Sequence, residues 1–593
     1  MAATGRVSVI GGGLAGLMTT IKICELGVPV DLFSFVPVKR SHSVCAQGGI
    51  NGAVNTKGEG DHPDIHFKDS VKGGDYLADQ PLVKGMCYAA PGIIYLLDRM
   101  GVPFNRTPEG LIDFRRFGGT LHHRTAFAGA TTGQQLLYAL DEQVRRFEGE
   151  GLVKKYEGWE FLGLVRDDKG ICRGHVAMNL QDMHIESFRA DAVNLCTGGP
   201  GLIFGKSTQS MICNGTAASA AYQQGVYYGN GEFIQIHPTA IPADDKLRLM
   251  SESLRGEGGR VWTVKDGKPW YFLEERYPRF KNLVPRDVAT REIFQVVREM
   301  GLGVDGKDQV YLDVSHIPEA TLRKKLEGVI EIYEKFVGED PTKVPMRVWP
   351  AVHYSMGGMW VGYKAGADGF PIVGAPENHQ TNLPGVFSGG ESECQYHGAN
   401  RLGANSLLSC IYAGMIGGPA MVSWRKNLET GSDATPASVF DTEKRRWEEK
   451  FSKIRQMRGK ENPYKMWREL GEMMTSHVTV VRNNKDLKRV TEKLDEFSTR
   501  WADIDVLDTG SVGNQAVPFV NQLWNMIELA KPIAHGALAR NESRGAHWKP
   551  EFPNRDDENW MKTTLATWTP SGPKLEYKAV DISLQTPELR KYD

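Results

Sequence analysis

An apolar strand, a glycine-rich turn and an apolar helix open the pattern of hydrophobic positions along the chain. Val7–Ile10 is a short, mostly apolar strand, the turn covers residues 11–16, and apolar residues then recur at helical spacing to about Leu26. A second strand is predicted at 28–33. This order of strand, tight turn, helix and strand predicts the first unit of a parallel α/β sheet.

Later segments extend the same prediction. Residues 191–201 read as a buried strand ending in the small-residue turn Thr197-Gly198-Gly199, and residues 214–224 read as an alanine-rich helix. Glycine-rich backbone returns at 382–410, where we expect a helix to begin near Asn405. Its first backbone N–H groups would favour negative charge on a ring that lies against the helix N-terminus, as on a reduced flavin.

Beyond about residue 425 the pattern is helical. Two apolar stripes recur at three- and four-residue spacing: Leu487, Val490, Leu494, Phe497 and Trp501, and then Phe519, Leu523, Ile527 and Ala530. Such stripes predict amphipathic helices whose apolar faces belong to the core. The last segment, 542–593, is predicted to be irregular and polar.

Composition narrows the class of protein. The 593 residues predict several domains, and 41% hydrophobic with 24% charged residues is typical of a globular protein. A formal charge of −1 gives no electrostatic reason to expect nucleic acid. No apolar run approaches the roughly 18 residues of a membrane span, and the strand near the start leaves no room for a signal peptide. Eight cysteines without a Cys-x-x-Cys pair argue against a zinc or iron–sulfur site in this chain and suit a reducing cytosol.

The turn at 11–16 matches a dinucleotide fingerprint. Gly11, Gly13 and Gly16 have the Gly-x-Gly-x-x-Gly spacing between a strand and a helix, where a pyrophosphate would meet the helix N-terminus. Near the end of the second strand, where an acidic residue usually binds the ribose, the chain has Ser34, with Asp31 earlier. The alternative is a glycine-rich turn that binds no nucleotide.

A polar loop at 39–53 carries the most unusual run of side chains. Ser41, His42 and Gln47 supply hydrogen-bonding groups, while Gly48 and Gly49 let backbone approach a ligand. The imidazole of His42 could act as a base, a ligand or a nucleophile. A solvated loop histidine is the alternative.

Charged and hydrogen-bonding side chains recur among glycine turns from residue 237 onward. They are His237, Ser251, Glu252, Arg255, Arg286, His353 and Arg401. Glu252 and Arg255 are three residues apart, so on a helical turn they share one face and could pair or pass a proton. Arginine binds carboxylates bidentately, and the group as a whole suits a dianionic carboxylate ligand. Taken singly, each could equally be a surface ion pair or a hydrogen-bonded core histidine.

These motifs, in this order, resemble the flavoprotein subunit of succinate dehydrogenase and fumarate reductase, most closely the bacterial, menaquinone-linked type. Arg40-Ser41-His42-Ser43 resembles the loop in which a histidine is bonded to the flavin 8α-methyl group, so the resemblance implies covalent FAD at His42. It also implies an FAD site made of Gly11, Gly13, Gly16, Ser34, Ser41, Gln47, Gly48, Gly49, Glu391, Ser406 and Leu407.

Further motifs of this chain resemble the segments that bind substrate in the family. His237 matches the histidine of His-Pro-Thr, His353 the histidine before Met-Gly-Gly, and Arg401 the arginine of Ala-Asn-Arg-Leu-Gly. With Ser251, where many members have threonine, the resemblance implies that these residues bind succinate or fumarate. Arg286 is similar to the arginine that exchanges a proton with substrate carbon, relayed through Glu252 and Arg255. No metal ligand is implied.

The resemblance also implies an architecture and partners. We expect an α/β fold with a Rossmann-like FAD-binding domain at 1–236 and 345–422, an inserted α+β capping domain at 237–344, a helical domain at 423–541 and an irregular C-terminal segment at 542–593. The implied partners are an iron–sulfur subunit and a cytochrome b-type membrane anchor. The implied location is peripheral, on the cytoplasmic face of the bacterial inner membrane.

Other interpretations stay open at this point. A quinol:fumarate reductase would run the reaction mainly in reverse. L-Aspartate oxidase shares the fold and much of the arginine pattern but binds FAD without a covalent bond. A soluble fumarate reductase often carries haem, yet no Cys-x-x-Cys-His occurs here. A non-catalytic flavin-binding scaffold would not need Arg286, Glu252 and Arg255, and all three are present.

Overall fold

The computed structural model describes residues 5–243 and 246–592. Asp244 and Asp245 lie outside the described residues. The N-terminal layer is built on a parallel five-stranded sheet with strand order β19-β10-β1-β2-β6. Its strands are β1 (Val7–Ile10), β2 (Val30–Ser34), β6 (Val153–Glu157), β10 (Val193–Leu195) and β19 (Val386–Ser388). The predicted parallel α/β unit at the start of the chain is confirmed.

The helices of this layer are α1 (Leu14–Cys24), α2 (Pro63–Gly73), α3 (Gln80–Arg99), α4 (Thr132–Gly149), α5 (Thr216–Gln223) and α10 (Asn405–Lys426). Of these, α1, α4 and α10 make the main contacts with the sheet. Close packing of α10 on α1 depends on glycine. A Cβ at Gly414 would lie 2.7 Å from the backbone nitrogen of Thr19, and one at Gly418 would lie 2.8 Å from the Cβ of Lys22. Among the described residues, α10 is the one helix long and apolar enough to cross a bilayer, and 72% of its apolar window is buried within the protein. We interpret it as a core helix.

A unit of helices and an antiparallel sheet is inserted in the chain between β10 and β19 of the parallel sheet. Its sheet has the order β13-β12-β17-β16-β14-β15. The strands are β12 (Ile234–Ile241), β13 (Arg248–Leu249), β14 (Arg260–Lys265), β15 (Lys268–Trp270), β16 (Val310–Asp313) and β17 (Met346–Ser355). The helices are α6 (Ser253–Gly256), α7 (Phe272–Arg276), α8 (Arg286–Phe294) and α9 (Glu319–Val337). We call the unit from β12 to β17 the cap; the domain boundaries at 237 and 344 stay predictions.

The two predicted apolar stripes lie in the helical region. Its helices are α11 (Ala437–Arg455), α12 (Pro463–His477), α13 (Asn484–Trp501) and α14 (Ala516–Ala539). Leu487, Val490, Leu494 and Phe497 of α13 are buried, as are Leu523, Ile527 and Ala530 of α14, while Trp501 and Phe519 are partly buried against the same core. Both stripes are therefore core, as predicted.

The prediction of an irregular C-terminal segment was wrong in part. Residues 562–579 form the antiparallel pair β20 (Lys562–Thr567) and β21 (Lys574–Ala579), preceded by the single turn α15 (Asp557–Trp560). β20 pairs with β11 (Tyr228–Gly229), which also pairs with β18 (Gly358–Met359). The sequence of β20 has little apolar alternation, and its partner is more than 300 residues away, so no local pattern indicates the strand.

Two smaller sheets complete the layer: β3 (Ile50–Asn51), β4 (Phe114–Arg115) and β5 (Thr125–Ala126) form one, and β7 (Trp159–Arg166), β8 (Cys172–Asn179) and β9 (Ile185–Arg189) form the other. The first includes Ile50 and Asn51 of the loop at 39–53 and pairs Ile50 with Ala126. The second packs on α11 and on strands β2 and β10 of the parallel sheet. The result is a cleft between the carboxyl ends of the parallel strands and the cap, where small-molecule sites of α/β proteins commonly form.

Candidate active site

One continuous cleft collects nearly all of the predicted site residues. It encloses about 1690 Å³ of space between protein atoms, including its open mouth. Every predicted cofactor, substrate and catalytic residue lines it except Gly16 and Arg255. Both exceptions lie directly behind residues that do line it. Among the described residues, no group of three or more His, Cys, Asp or Glu is arranged to hold a metal ion.

The glycine turn forms a cradle that side chains would fill. Gly11 has φ of +119°, and a Cβ there would lie 2.1 Å from the carbonyl oxygen of Cys196. A Cβ at Gly16 would lie 1.9 Å from the carbonyl oxygen of Gly11, so Gly16 lets the helix pack on the turn rather than touching the cleft. Gly13 precedes the first turn of α1, which presents its N-terminus to the cleft. These observations fit the pyrophosphate of a dinucleotide.

Ser34 and Asp31 have different surroundings. Ser34 ends β2 and lines the cleft. Asp31 instead pairs with Arg6, whose Nε lies 2.8 Å from Oδ1, and does not line the cleft. Of the two candidates for the ribose contact, the structure brings only Ser34 to the ligand space.

The loop at 39–53 folds into two short 3-10 turns, Val38–Arg40 and His42–Cys45, that hold His42 at the cleft. The backbone N–H of Ser210 donates to Nδ1 of His42 at 3.2 Å. Burial, together with the charge of Lys246, lowers the pKa of His42 to about 4. The imidazole is therefore neutral near pH 7, with Nδ1 occupied by a hydrogen bond and Nε2 available.

The rest of the loop is held by a residue that sequence reasoning missed. Arg115, in β4, is buried and donates from Nε to the carbonyl of Gly48 at 3.0 Å. A Cβ at Gly48 would lie 2.7 Å from the ring of Phe117, and Gly49 has φ of +142°. Gln47 donates to the carbonyl of Leu249 in the cap at 3.3 Å, so this loop contacts both sides of the cleft.

The N-terminus of α10 reaches the cleft through a strained turn. Ala404, which precedes the helix, has φ of +64°, a conformation disfavoured for alanine by about 1–2 kcal/mol. Asn51, which sequence reasoning also missed, fixes this turn. Its backbone N–H donates to the carbonyl of Ala404 at 3.2 Å and its amide donates to Gly403 at 2.8 Å. Ser406 and Leu407 of the first helical turn then line the cleft, as predicted.

Glu391 lies on the same side and is held through neutral donors. The backbone N–H of Ser355 donates to it at 3.0 Å, and the amide of Gln209 donates as well. Burial raises the pKa of Glu391 to about 7. A Cβ at Gly199 would lie 2.4 Å from its Oε1, so the small-residue turn after β10 leaves room for this carboxyl group.

The three predicted catalytic residues form one connected buried set. Arg286 begins α8 and donates to Oε2 of Glu252 from Nη2 at 2.6 Å and from Nε at 2.9 Å. Arg255 donates to Oε1 of Glu252 at 3.0 Å and to the carbonyl of Asn282 at 2.7 Å. Although burial opposes ionisation, the charges of Arg286 and Arg255 hold the pKa of Glu252 below its ordinary value. The order from the cleft inward is Arg286, Glu252, Arg255.

Two glycines make space for the carboxylate of Glu252. A Cβ at Gly118 or at Gly403 would lie 2.4 Å from one of its oxygens, and the N–H of Gly118 donates to it at 3.0 Å. Gln235, on β12, accepts from Nη1 of Arg286 at 3.0 Å and donates to the carbonyl of Arg401 at 2.6 Å. No motif signalled Gln235, because its role depends on a contact between the cap and the α10 loop.

Four predicted substrate residues surround Arg286. His237 accepts the N–H of Thr239 at Nδ1, 3.2 Å away, which leaves its buried Nε2 without a partner in the described structure. Ser251 accepts from the hydroxyl of Ser253 at 2.8 Å, so its own hydroxyl proton is free to be donated.

His353 and Arg401 close the other side. Nδ1 of His353 lies 2.7 Å from the hydroxyl of Thr208, and its ring centroid lies 5.0 Å from that of His237. Arg401 is 2% exposed, with its guanidinium 4.3 Å from the ring centroid of Tyr354 and its Nε without a partner among the described residues. Burial and the charge of Arg286 lower the pKa of Arg401 to about 9, so it stays protonated at pH 7.

The electrostatic balance of this group is positive. Burial, followed by the charge of Arg286, holds the pKa values of His237 and His353 well below their ordinary range, so both are neutral. Arg255, Arg286 and Arg401 then exceed the ionised carboxylate of Glu252 by two positive charges, and Glu391, with a pKa of about 7, is ionised only in part near neutral pH, so the buried space stays net positive. Buried charge of this kind is costly unless it is paired. A small dianion that accepts hydrogen bonds is the complementary ligand.

The chain matches two family models and full-length relatives. Residues 6–407 match the FAD binding domain model, and residues 467–592 match the fumarate reductase flavoprotein C-terminal model. The succinate dehydrogenase flavoprotein subunit of Bacillus subtilis is 62% identical over 588 residues, covering 99% of this chain and 98% of that one. The fumarate reductase flavoprotein subunit of a Serratia strain is 32% identical, with coverage of 99% and 96%.

Solved structures agree with the sequence matches. E. coli quinol fumarate reductase matches with a TM-score of 0.90 at 30% identity, covering 99% of this chain and 98% of that one. A quinol-fumarate reductase with menaquinol molecules matches with a TM-score of 0.89 at 31% identity, with coverage of 98% and 99%. The fold class and the resemblance expected from the motifs are confirmed. Full-length similarity in sequence and structure establishes that the chain belongs to the family of succinate dehydrogenase and fumarate reductase flavoprotein subunits, which are FAD-dependent oxidoreductases.

Proposed function

We propose that this chain interconverts succinate and fumarate in the cleft, with its substrate held by His237, Ser251, His353 and Arg401. The observation that carries the proposal is the net positive charge of a buried site, which matches a dicarboxylate. The unpartnered Nε2 of His237 and Nε of Arg401 supply donors for its oxygens. Binding at both ends fixes the substrate for reaction, and such positioning can supply several kcal/mol of the barrier.

The proton moves through Arg286, Glu252 and Arg255. Arginine is ordinarily too weak a base, because its guanidinium stays protonated in water. Arg286 serves here because its proton can pass to a carboxylate 2.6 Å away in a site that excludes water, and Arg255 stabilises that carboxylate from the far side. In the direction of fumarate reduction, Arg286 donates the proton to substrate carbon.

The glycine cradle, Ser34, the loop at 39–53, Glu391 and the first turn of α10 would hold FAD, which would supply the hydride acceptor and donor of this reaction. We propose covalent attachment through Nε2 of His42. The support is the hydrogen bond from Ser210 to Nδ1, which orients the ring, and the neutral state that burial imposes on it. Because Nδ1 accepts this hydrogen bond, the proton of the neutral ring lies on Nε2 and would have to leave as Nε2 bonds to the flavin.

Acid precipitation of the flavin-loaded protein tests the attachment. We expect flavin fluorescence to remain in the pellet and to map, after proteolysis, to the peptide that contains His42. In the His42→Ala variant we expect the flavin to move to the supernatant. The matched control, His62→Ala, replaces a histidine at the start of α2 and should keep the flavin in the pellet. Flavin released from the wild-type protein would contradict the proposed bond.

We extend the proposal to partners by similarity. The relatives are named as subunits of succinate dehydrogenase and fumarate reductase, and one matched structure contains menaquinol. Electrons would then pass to an iron–sulfur subunit and a cytochrome b-type membrane anchor, and the chain would be peripheral on the cytoplasmic face of the membrane. The 62% identity to the Bacillus subtilis succinate dehydrogenase subunit favours succinate oxidation as the working direction, with quinol-dependent fumarate reduction as the alternative.

The charge of the site also argues against L-aspartate as substrate. Aspartate carries an ammonium group that would enter a space already net positive. Steady-state oxidation of succinate and of L-aspartate by the purified, flavin-loaded complex tests this directly. We expect turnover with succinate and at least about a hundredfold lower kcat/KM with L-aspartate, since misplaced like charge costs several kcal/mol. Comparable turnover of both substrates would contradict the proposal.

A further inference from the structure

The last residues of the described chain join the cap to the FAD-binding layer. Arg590 donates from Nη2 to Oδ2 of Asp287 at 2.5 Å, and Asp287 is the neighbour of Arg286 in α8. Its Nε lies 3.2 Å from Oδ2 of Asp75, and its Nη1 donates to the carbonyl of Gly73 at 3.4 Å. One guanidinium therefore binds two carboxylates on opposite sides of the cleft.

Each end of this contact lies next to a residue of the proposed active site. On the cap side, Asp287 adjoins Arg286 directly. On the other side, the carbonyl of Gly73 also accepts from the amide of Asn400 at 3.1 Å, and a Cβ at Gly73 would lie 2.4 Å from Leu402. Asn400 and Leu402 flank Arg401, so Arg590 is connected both to Arg286, the proposed proton-transfer residue, and to Arg401, a proposed substrate residue.

The tail that carries Arg590 is anchored along its length. Gln80 at the start of α3 accepts from the backbone N–H of Leu584 at 2.8 Å, and Arg555 donates to the carbonyl of Glu588 at 2.7 Å. Tyr592 is 7% exposed and belongs to the apolar core of the cap, where its ring meets that of Phe280 edge to face at 5.2 Å. The tail thus begins on the FAD-binding layer and ends inside the cap.

The charged side chains that form this contact are almost completely buried. The side chains of Arg590, Asp287 and Asp75 are 9%, 1% and 6% exposed. Removing the cation would leave two buried carboxylates without this partner; Arg555 would still face Asp75 at 2.9 Å, and Arg291 would face Asp287 only at 3.5 Å. The cap side therefore depends more on Arg590 than the FAD-binding side does.

We propose that Arg590 is a positioning residue: the C-terminal tail fixes the cap on the FAD-binding layer so that Arg286 and Arg401 are held at the separation a dicarboxylate requires. The proposal rests on the substrate roles given above for these two arginines. β12 and β17 lead into and out of the cap, and Gln47, Gly118 and Gln235 make hydrogen bonds across the cleft. The tail adds an ionic connection next to Arg286.

Three variants of the flavin-loaded complex test the proposal: Arg590→Ala, the conservative Arg590→Lys, and Lys591→Ala as the matched control. Lys591 is the exposed neighbour and loses the same charge. We expect Arg590→Ala to weaken malonate binding and to lower succinate kcat/KM by about a hundredfold, the cost of a misplacement of about 1 Å in a positioned site. Arg590→Lys should recover part of both losses, because an ammonium can reach one carboxylate, and Lys591→Ala should match wild type within twofold.

The outcomes separate this proposal from the proposed function. Wild-type turnover of succinate tests the function, and the ratio of variant to wild type tests the tail. The proposal would be overturned if Arg590→Ala unfolded at a lower temperature than wild type but, at low temperature, bound malonate and turned over succinate as Lys591→Ala does. If Arg590→Ala does not accumulate, hydrogen exchange on the wild-type complex decides: amides of residues 286–292 and 588–592 should gain protection together when malonate binds. Protection gained by residues 286–292 alone would overturn it.

Discussion

Glu252 shows how a single side chain gains its chemistry from its neighbours. A carboxylate buried at 1% exposure would ordinarily hold its proton, but two arginines within 3.0 Å keep it ionised. Gly118 and Gly403 leave the space for it, and neither could carry a Cβ without touching its oxygens. Arg286 thereby has an acceptor for its proton in a site that would otherwise be purely cationic.

The Glu252→Gln variant tests this residue. Glutamine keeps the shape but can neither take the proton nor balance the two arginines, so we expect kcat to fall about 10²–10⁴-fold, the range for loss of a proton-transfer group. Succinate turnover and malonate binding should both be measured, because malonate binding is expected to survive in a more positive site. The matched control is Glu257→Gln, whose carboxylate pairs with Lys325 outside the cleft. Equal kcat for the two variants would rule out the relay.

Strand β8 places a histidine where it has no polar partner. His175 is fully buried, neither ring nitrogen has a partner among the described residues, and its ring lies 4.5 Å from Phe33 and 5.3 Å from Phe188. Burial lowers the pKa of His175 to about 3. In the unfolded chain the group titrates near 6.5, so the unfolded state binds more protons between these two values. Its contribution to stability is complete above pH 6.5 and decreases as the pH falls toward 3.

The His175→Phe variant should lose this acid sensitivity. The change in packing alters the free energy of unfolding of the variant by an amount that does not depend on pH. Because the variant lacks the histidine that is protonated on unfolding, its free energy of unfolding should rise relative to that of wild type by about 2 kcal/mol between pH 7.5 and pH 5. Chemical denaturation at both pH values measures it. His184→Phe, an exposed position on the turn before β9, is the control and should show no such growth. A difference that is independent of pH would mean that His175 is protonated or solvated in the folded protein.

At the scale of the whole molecule, the cleft is formed by parts far apart in the chain. The cap supplies Arg286 and His237, while the loop before α10 supplies Arg401, and the contacts of Gln235 join the two sides. A dianion bound between them would therefore stabilise the assembly of cap and FAD-binding layer as a unit. A monoanion of similar size would satisfy only half of the charge.

Ligand-dependent thermal unfolding tests this arrangement. Malonate at one hundred times its Kd should stabilise the protein by about 2.7 kcal/mol, because it binds only the folded state. Propanoate at the same concentration should give little of this effect, since it cannot pair with charges on both sides. Sodium chloride at matched ionic strength is the control. Equal stabilisation by malonate and propanoate would contradict the net charge assigned to the site.

Local motifs predicted most of the FAD-binding layer and nearly every proposed site residue. Gly11, His42 and Arg401 lie in short segments whose spacing is specific, so their positions in the cleft could be expected from the sequence. Asn51, Arg115 and Gln235 could not, because each acts by a hydrogen bond to a residue distant in sequence and has no motif of its own. The β20 strand was missed for the same reason, since its pairing partner lies far away in the chain.

The most direct test of the central claim is a single anaerobic mixing of succinate with the flavin-loaded complex, followed by flavin absorbance, in wild type and in Arg286→Gln. We predict rapid bleaching in wild type and bleaching slowed by at least about a thousandfold in the variant, within the range for loss of a positioned acid–base group. The variant should still bind malonate through Arg401 and the two histidines. Bleaching of Arg286→Gln at the wild-type rate, or no bleaching of the wild-type complex by succinate, would contradict the account.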